Sequence, residues 1–328
     1  MAEWLYEAGV GENRAALVEN GAIVEAFIER PTAVRHGAIA RARFAEALVA
    51  RSAARIVLDD GTEAFLDPVP RGVGPGARFT VEIVREAPLG RYPKLAKARL
   101  LAGDVAPAPG PALRERLSGA PVREPRGVDA DALEAAGWSE LIDEALTGVV
   151  HFAGGRLLIE RTEAMTVIDV DGDLDAATLA IAGAATAARA IRRLGLAGSI
   201  GIDLPTMPDR LSRTRAAEAF DLWLPPPFER TAVNGWGFVQ IIRPRHRASL
   251  PELLAADPAR AAALALYRLA ERDPVPGAVT LTAAPAVVAA ARAQEDAELA
   301  RRRGGATLWR TDPALAIWGG HVRTGAPR

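Results

Sequence analysis

The chain has 328 residues, 40 Lys and Arg against 41 Asp and Glu for a net charge of −1, and no cysteine. That length exceeds one ordinary domain, so two or three compact units with real cores are expected and a small stapled scaffold is excluded. Without cysteine there is no disulfide, thiolate zinc site or cysteine nucleophile, so a metal must sit on oxygen or imidazole, and the balanced charge leaves nucleic-acid binding to local basic patches.

The opening residues Met1-Ala2-Glu3-Trp4-Leu5-Tyr6-Glu7 carry acid where a secretory leader needs a basic start. Apolar stretches such as 261–267 end far short of the roughly 20 residues a membrane helix needs. A soluble, cytoplasmic protein with no membrane contact is expected. From Arg14 to Arg85 the pattern is of short strands, at 15–27, 38–44, 54–58, 63–66 and 78–84. Asp59-Asp60-Gly61 reads as a tight hairpin, and Gly72-Val73-Gly74-Pro75-Gly76 breaks the chain before the last strand. Strands of this length and spacing suggest a small OB-like β-barrel, a fold used both for single-stranded nucleic acid and for other ligands. The stretch 85–99 that follows is the densest basic run of the first half and holds both lysines, Lys94 and Lys97. It fits either a solvated helix face or a nucleic-acid contact. Residues 1–100 therefore read as an OB-like barrel with a basic segment, open at this point to nucleic acid (an RNA-binding barrel) or to another ligand.

Residues 101–146 read as a Pro/Ala-rich linker, with Val105-Ala106-Pro107-Ala108-Pro109-Gly110-Pro111 at its heart, closed by a short helix from 130. A second unit, 147–250, opens with two strand-like runs around Gly154-Gly155. It continues into Met165-Thr166-Val167-Ile168-Asp169-Val170-Asp171-Gly172-Asp173, an apolar strand that ends in alternating acids. A long Ala-rich helix, 176–194, leads to Gly198-Ser199-Ile200-Gly201-Ile202-Asp203, a second apolar strand ending in aspartate. Strand, helix, strand argues a crossover that sets the two strands side by side, with Asp169 and Asp203 near one sheet edge. Two like charges there invite a hard cation. Magnesium uses few protein carboxylates and fills its shell with water and phosphate oxygen, so two aspartates suffice for a phosphodiester-cutting site. The plain alternative is that both are ordinary strand-end residues. A calcium loop at 169–180 is rejected, because its glycine is misplaced and residue 180 is alanine.

The segment from Gly154 through Thr162-Glu163-Ala164 to Ile168-Asp169-Val170-Asp171 resembles the signature of the ribonuclease E/G family. So do Gly201-Ile202-Asp203-Leu204-Pro205-Thr206-Met207 and Gly237-Phe238-Val239-Gln240-Ile241-Ile242-Arg243-Pro244-Arg245. The resemblance implies a magnesium-dependent endoribonuclease, with manganese able to substitute, that cuts single-stranded RNA by metal-activated water and leaves a 5′ phosphate. It implies Asp169 and Asp203 as catalytic metal ligands, with Asp171 and Glu163 in support. Arg243, Arg245 and His246, with Lys94, Lys97 and Arg210, are the expected RNA contacts. The implied fold is α/β with β: an N-terminal OB-like barrel, a mixed α/β catalytic domain resembling a deoxyribonuclease I-like/RNase H-like core, and a small C-terminal α/β domain over 251–328.

Departures from the family pattern are equally legible. Asp171 replaces an asparagine, Thr206 stands where a further acid is expected, and Gln240 replaces a glutamate. The 5′-end sensor is largely missing, which implies indifference to a 5′ monophosphate. The family's Cys-Pro-x-Cys zinc link has no counterpart, so any homodimer is not zinc-linked and no zinc is expected. These departures motivate the alternative of an RNA-binding protein of the same family with weak or no catalysis.

Overall fold

In the computed structural model the described residues are 1–31, 34–48, 52–69, 72–89, 95–103, 105–125 and 131–325. The first three strands, β1 (Glu3–Ala8), β2 (Asn13–Glu19) and β3 (Ala22–Glu29), form an antiparallel sheet of their own. Asn20 and Gly21 both adopt positive φ, 52° and 80°, which is the backbone of a two-residue hairpin. The run 15–27, read as one barrel strand, is therefore two strands folded back on each other and lies outside the barrel.

The closed barrel contains β4 (Ile39–Leu48), β5 (Ala53–Leu58), β6 (Glu63–Leu66), β7 (Arg78–Arg85) and β8 (Ala96–Leu100), in the order β4-β5-β6-β8-β7. Alternation places Phe44, Ile56, Leu66, Val81 and Ile83 inside it. Gly61, at φ 85°, makes the turn between β5 and β6 as expected from Asp-Asp-Gly. The second half of the basic run is β8, so Lys97 sits on a barrel strand rather than on a helix.

The Pro/Ala-rich stretch after the barrel is docked, unlike the free linker its composition suggests. Its helix α1 (Leu113–Arg116) buries Leu113 completely against Trp4, Tyr6, Ala15 and Leu17. Trp4 Nε1 donates to the Ser118 carbonyl at 2.9 Å, and β9 (Val122–Arg123) adds to the first sheet in parallel with β1. One buried leucine and an open strand edge hold this segment, and neither shows in composition. The barrel is thus an excursion from the first sheet, which its chain leaves after β3 and rejoins at β9.

Two short helices follow, α2 (Ala132–Ala135) and α3 (Trp138–Thr147), separated by Gly137 at φ 96°. The next sheet runs through β10 (Val149–Phe152), β11 (Gly155–Arg161), β12 (Thr166–Gly172), α4 (Ala176–Arg193), β13 (Gly198–Asp203), α5 (Arg210–Trp223), β14 (Glu229–Arg230) and β15 (Phe238–Arg243). Its strand order is β10-β11-β12-β13-β15-β14, and β12 and β13 are parallel across the α4 crossover. Helix α4 lies so close to the sheet that a Cβ on Gly183 would stand 2.4 Å from Val170 Cγ1. Ile168, Ile200, Ile202, Val239 and Ile241 face α4, in one core that also takes in Leu5, Val18 and Ile23 of the first sheet. Covering helices and the first sheet thus shield one face of this sheet.

The rest of the chain is α6 (Leu250–Ala256), α7 (Pro258–Arg272), β16 (Val279–Ala283), α8 (Pro285–Ala289), α9 (Ala293–Arg303), β17 (Thr307–Thr311) and β18 (His321–Thr324). The three strands pair as β17-β16-β18 over a core of Leu264, Tyr267, Leu281, Val287 and Leu299. The apolar and charged run 285–303 forms two helices, broken at 290–292. Among the described residues no helix is long and apolar enough to cross a membrane.

Candidate active site

Strict alternation along β12 sends Ile168 and Val170 into the core and Asp169 and Asp171 to the opposite face, and β13 does the same with Ile200 and Ile202 against Asp203. In the parallel ladder Asp169 is the register partner of Asp203. Neighbouring strands run about 4.8 Å apart, and register partners share a face, so the two carboxylates stand side by side. Both are exposed, and neither side chain has a hydrogen bond or ion pair with another described residue. Two adjacent like charges without a counter-ion make a ready place for a cation.

The surroundings limit what that cation can be. Among the described residues there is no group of three or more His, Asp or Glu placed to hold a metal. Asp171 is held by its cross-strand partner Arg156, 2.8 Å from Nη2 to Oδ2. Glu163 lies in the turn before β12, three residues ahead of Thr166, and so at least ~10 Å along the strand from Asp169. The two residues expected to support the metal thus lie on opposite sides of Asp169 along β12. Thr206, in the place of a further acid, donates its hydroxyl to the Trp236 carbonyl at 3.2 Å. A two-carboxylate site of this kind suits a small hard cation that keeps most of its waters, and suits poorly a cation that needs a full protein cage.

Aromatic side chains crowd the same edge. Asn234 Oδ1 accepts from the backbone N–H of Trp236 at 2.9 Å and of Phe238 at 3.0 Å, and Leu204 N–H donates to the Gly237 carbonyl, pinning this loop to the end of β13. Gly237 has φ 95°, and a Cβ there would lie 2.1 Å from the Leu204 carbonyl oxygen, so no other residue fits. The loop carries Trp236 at 79% exposure. Phe238 is the register partner of Asp203, and its ring lies over Gly201 together with Met165. Phe238 therefore belongs to the uncovered face, where an aromatic in a strand would ordinarily be read as core. Gly201 and Met165 carry little sign of this role in the sequence; the one signal is that alternation puts Gly201 on the same face as Asp203. Gln240, paired with Gly201, donates to Ser199 Oγ at 3.3 Å.

The expected RNA-contacting cations are not all brought to this edge. Arg210 opens α5, exposed, on the segment that leaves Asp203. Arg243 pairs in register with Gly198, five residues from the level of Asp203, or about 17 Å along the sheet. Its guanidinium turns to the helix side and donates to the carbonyls of Leu196 at 3.0 Å and Ile191 at 3.5 Å, and burial holds its pKa below the ordinary arginine value. Arg245 is bound to Glu252 at 2.7 Å. The His246 ring rests 4.3 Å from that of His36, and its Nδ1 is 3.2 Å from the Val84 carbonyl, so it ties the sheet to the barrel. Lys97 is bound to Asp67 at 3.0 Å, and Lys94 lies outside the described residues.

Residues 122–246, from β9 through the whole six-stranded sheet, match the model of the Ribonuclease E/G family. The match contains Asp169, Asp203, Trp236 and Phe238, and leaves out the barrel and the last 82 residues. No curated protein matches the chain.

Proposed function

We propose that this protein is a divalent-metal-dependent endoribonuclease acting on single-stranded RNA. The observation that carries the reading is the register pairing of Asp169 with Asp203 on an uncovered sheet face, without a cation partner among the described residues and beside the exposed Trp236. The match to the Ribonuclease E/G family supports ribonuclease action in general. Asp169 and Asp203 would hold the metal, magnesium by preference and manganese in its place. When bound, that ion supplies an activated water and neutralises charge on the scissile phosphate. Trp236 and Phe238 offer π faces to unstacked bases, which single strands present and duplexes do not. Arg210, exposed at the start of α5, is the cation nearest in chain to Asp203, and we assign it a flanking phosphate. The product of such hydrolysis carries a 5′ phosphate. We assign the barrel an RNA-supporting role, the six-stranded sheet the catalytic one, and the C-terminal α/β part a supporting one that could serve a dimer without zinc; the cytoplasm is the expected setting.

A second reading rests on the small donor set: with Asp171 bound to Arg156 and Thr206 in place of an acid, the chain could bind RNA and cut it weakly or not at all. One experiment separates the two. An unstructured RNA incubated with the protein, with magnesium or with chelator, and read on a gel should be shortened only with magnesium, to fragments bearing 5′ phosphates. Tight binding without magnesium-dependent cleavage favours the second reading, and cleavage that persists in chelator sinks the first.

A further inference from the structure

At the end of the sheet away from the acids, and on its helix side, a groove of about 200 Å³ lies between β3, the end of α4 and the tail after β15. Arg192, Arg243, His246 and Arg247 line it, together with Glu25 and Phe27. Glu25 is the carboxylate among these, and it already accepts from Arg192 at 3.3 Å. The guanidinium of Arg247 stacks over the Phe27 ring at 5.6 Å and has no ion pair with a described residue. Its Nε–H is buried without an acceptor. The neighbouring carboxylates are committed elsewhere: Glu29 to Arg116 and to the Leu113 N–H, Glu86 to the His36 N–H. Arg192 also pairs with Glu19 at 3.6 Å, so it is the arginine of the groove bound to carboxylates, while Arg243 is turned to carbonyls and Arg247 keeps an unanswered donor.

We propose that this groove is an anion site for a single phosphate group, held by the fork of Arg247 with Arg192 and His246 at its rim. The fork geometry of a guanidinium matches two phosphate oxygens at once, which a point charge does not. Volume sets the scale of the ligand: drug-sized and nucleotide-sized molecules need roughly 300 Å³ or more, so the groove admits the phosphate and leaves the rest of its bearer outside. The site is distinct from the cutting face, being about 17 Å away along β15 and on the other side of the sheet. An internal phosphodiester of RNA and a terminal phosphomonoester offer the same oxygens.

The test uses the whole chain in chelator, so that neither metal nor cleavage enters and failure of the ribonuclease reading leaves it untouched. Inorganic phosphate, compared with chloride at equal ionic strength, should raise Tm saturably by about 2–4 °C. Arg247→Gln should lose that rise. Glu25→Gln, which removes the opposing charge, should bind phosphate several-fold more tightly, and this holds the proposal to account even if Arg247→Gln does not fold. No saturable rise in the wild type overturns the site, as does a folded Arg247→Gln with the full rise, or weaker binding by Glu25→Gln. With the site established, response to adenosine 5′-monophosphate but not to the dinucleotide ApA assigns it to phosphomonoesters, and the reverse to the RNA backbone.

Discussion

The two ends of the central strands carry opposite charge and opposite fates. At one end Asp169 and Asp203 project from the uncovered face with no partner among the described residues, next to a tryptophan left in solvent. At the other, Arg243 and Arg245 turn to carbonyls and to Glu252, where they complete the end of α4 and brace α6. Both look equally functional as residue types. Exposed, unsatisfied charge is free to meet a ligand, whereas buried charge must be paired to exist at all. On the proposed reading the acids are the reactive end, and most of the basic tail is scaffold, with Arg247 the member left unsatisfied.

This contrast can be broken by substitution. Asp169→Asn or Asp203→Asn should lower the magnesium-dependent cleavage rate at least ~100-fold, since the ion's charge stabilisation is worth several kcal/mol. Thermal melting and RNA affinity should be nearly unchanged, and retained cleavage in either variant would remove the assignment. Arg243→Ala should do the reverse. Loss of charge-assisted hydrogen bonds to the Leu196 and Ile191 carbonyls should cost about 1.5–3 kcal/mol of stability, read in urea unfolding, while the folded fraction cuts at the normal rate; a stable variant with impaired cleavage would move Arg243 into the RNA interface. Trp236→Ala should weaken single-stranded RNA binding by about 1–3 kcal/mol with little change in Tm, and unaltered affinity would leave Trp236 without a stacking role.

The smallest effect concerns the joint between barrel and sheet. Burial, then the charges of His246 and Arg247, hold the His36 pKa below its usual value, with Arg116 acting in the same sense and Glu82 opposing. The unfolded chain therefore takes up this proton first as pH falls. Stability should be fully present above about pH 6.5 and decline as pH drops from there through the lower pKa of the folded protein. His36→Gln should flatten that decline in urea midpoints measured across the same range, and an unchanged slope would show that other groups set it.

Much of this is legible in the residue pattern. The alternation in Ile168-Asp169-Val170-Asp171 and in Ile200-Gly201-Ile202-Asp203 already states that the acids oppose an apolar face, and the strand, helix, strand order implies the crossover. Other features leave no local trace. Asn20-Gly21 marks the hairpin within 15–27, but nothing nearby sets that hairpin outside the barrel, because sheet membership is a matter of long-range pairing. Leu113 is one leucine in a Pro/Ala-rich stretch, and its complete burial depends on a cavity formed by Trp4 and Leu17. The expected helix face at 85–99 is in its second half the barrel strand β8, since an open edge between β6 and β7 claims it.

Local chemistry alone determined that a metal here would need oxygen or imidazole ligands, that two aspartates follow two apolar runs, and that the segment resembles ribonucleases of one family. Periodicity and residue type act over a few positions, and both are written in the chain. Tertiary structure alone decided that Asp169 meets Asp203 in register, that Phe238 lies on their face, and that Arg243 is turned away from it. Those outcomes depend on which strands pair and which face is covered, and that is settled only when distant segments compete to bury the same apolar surface.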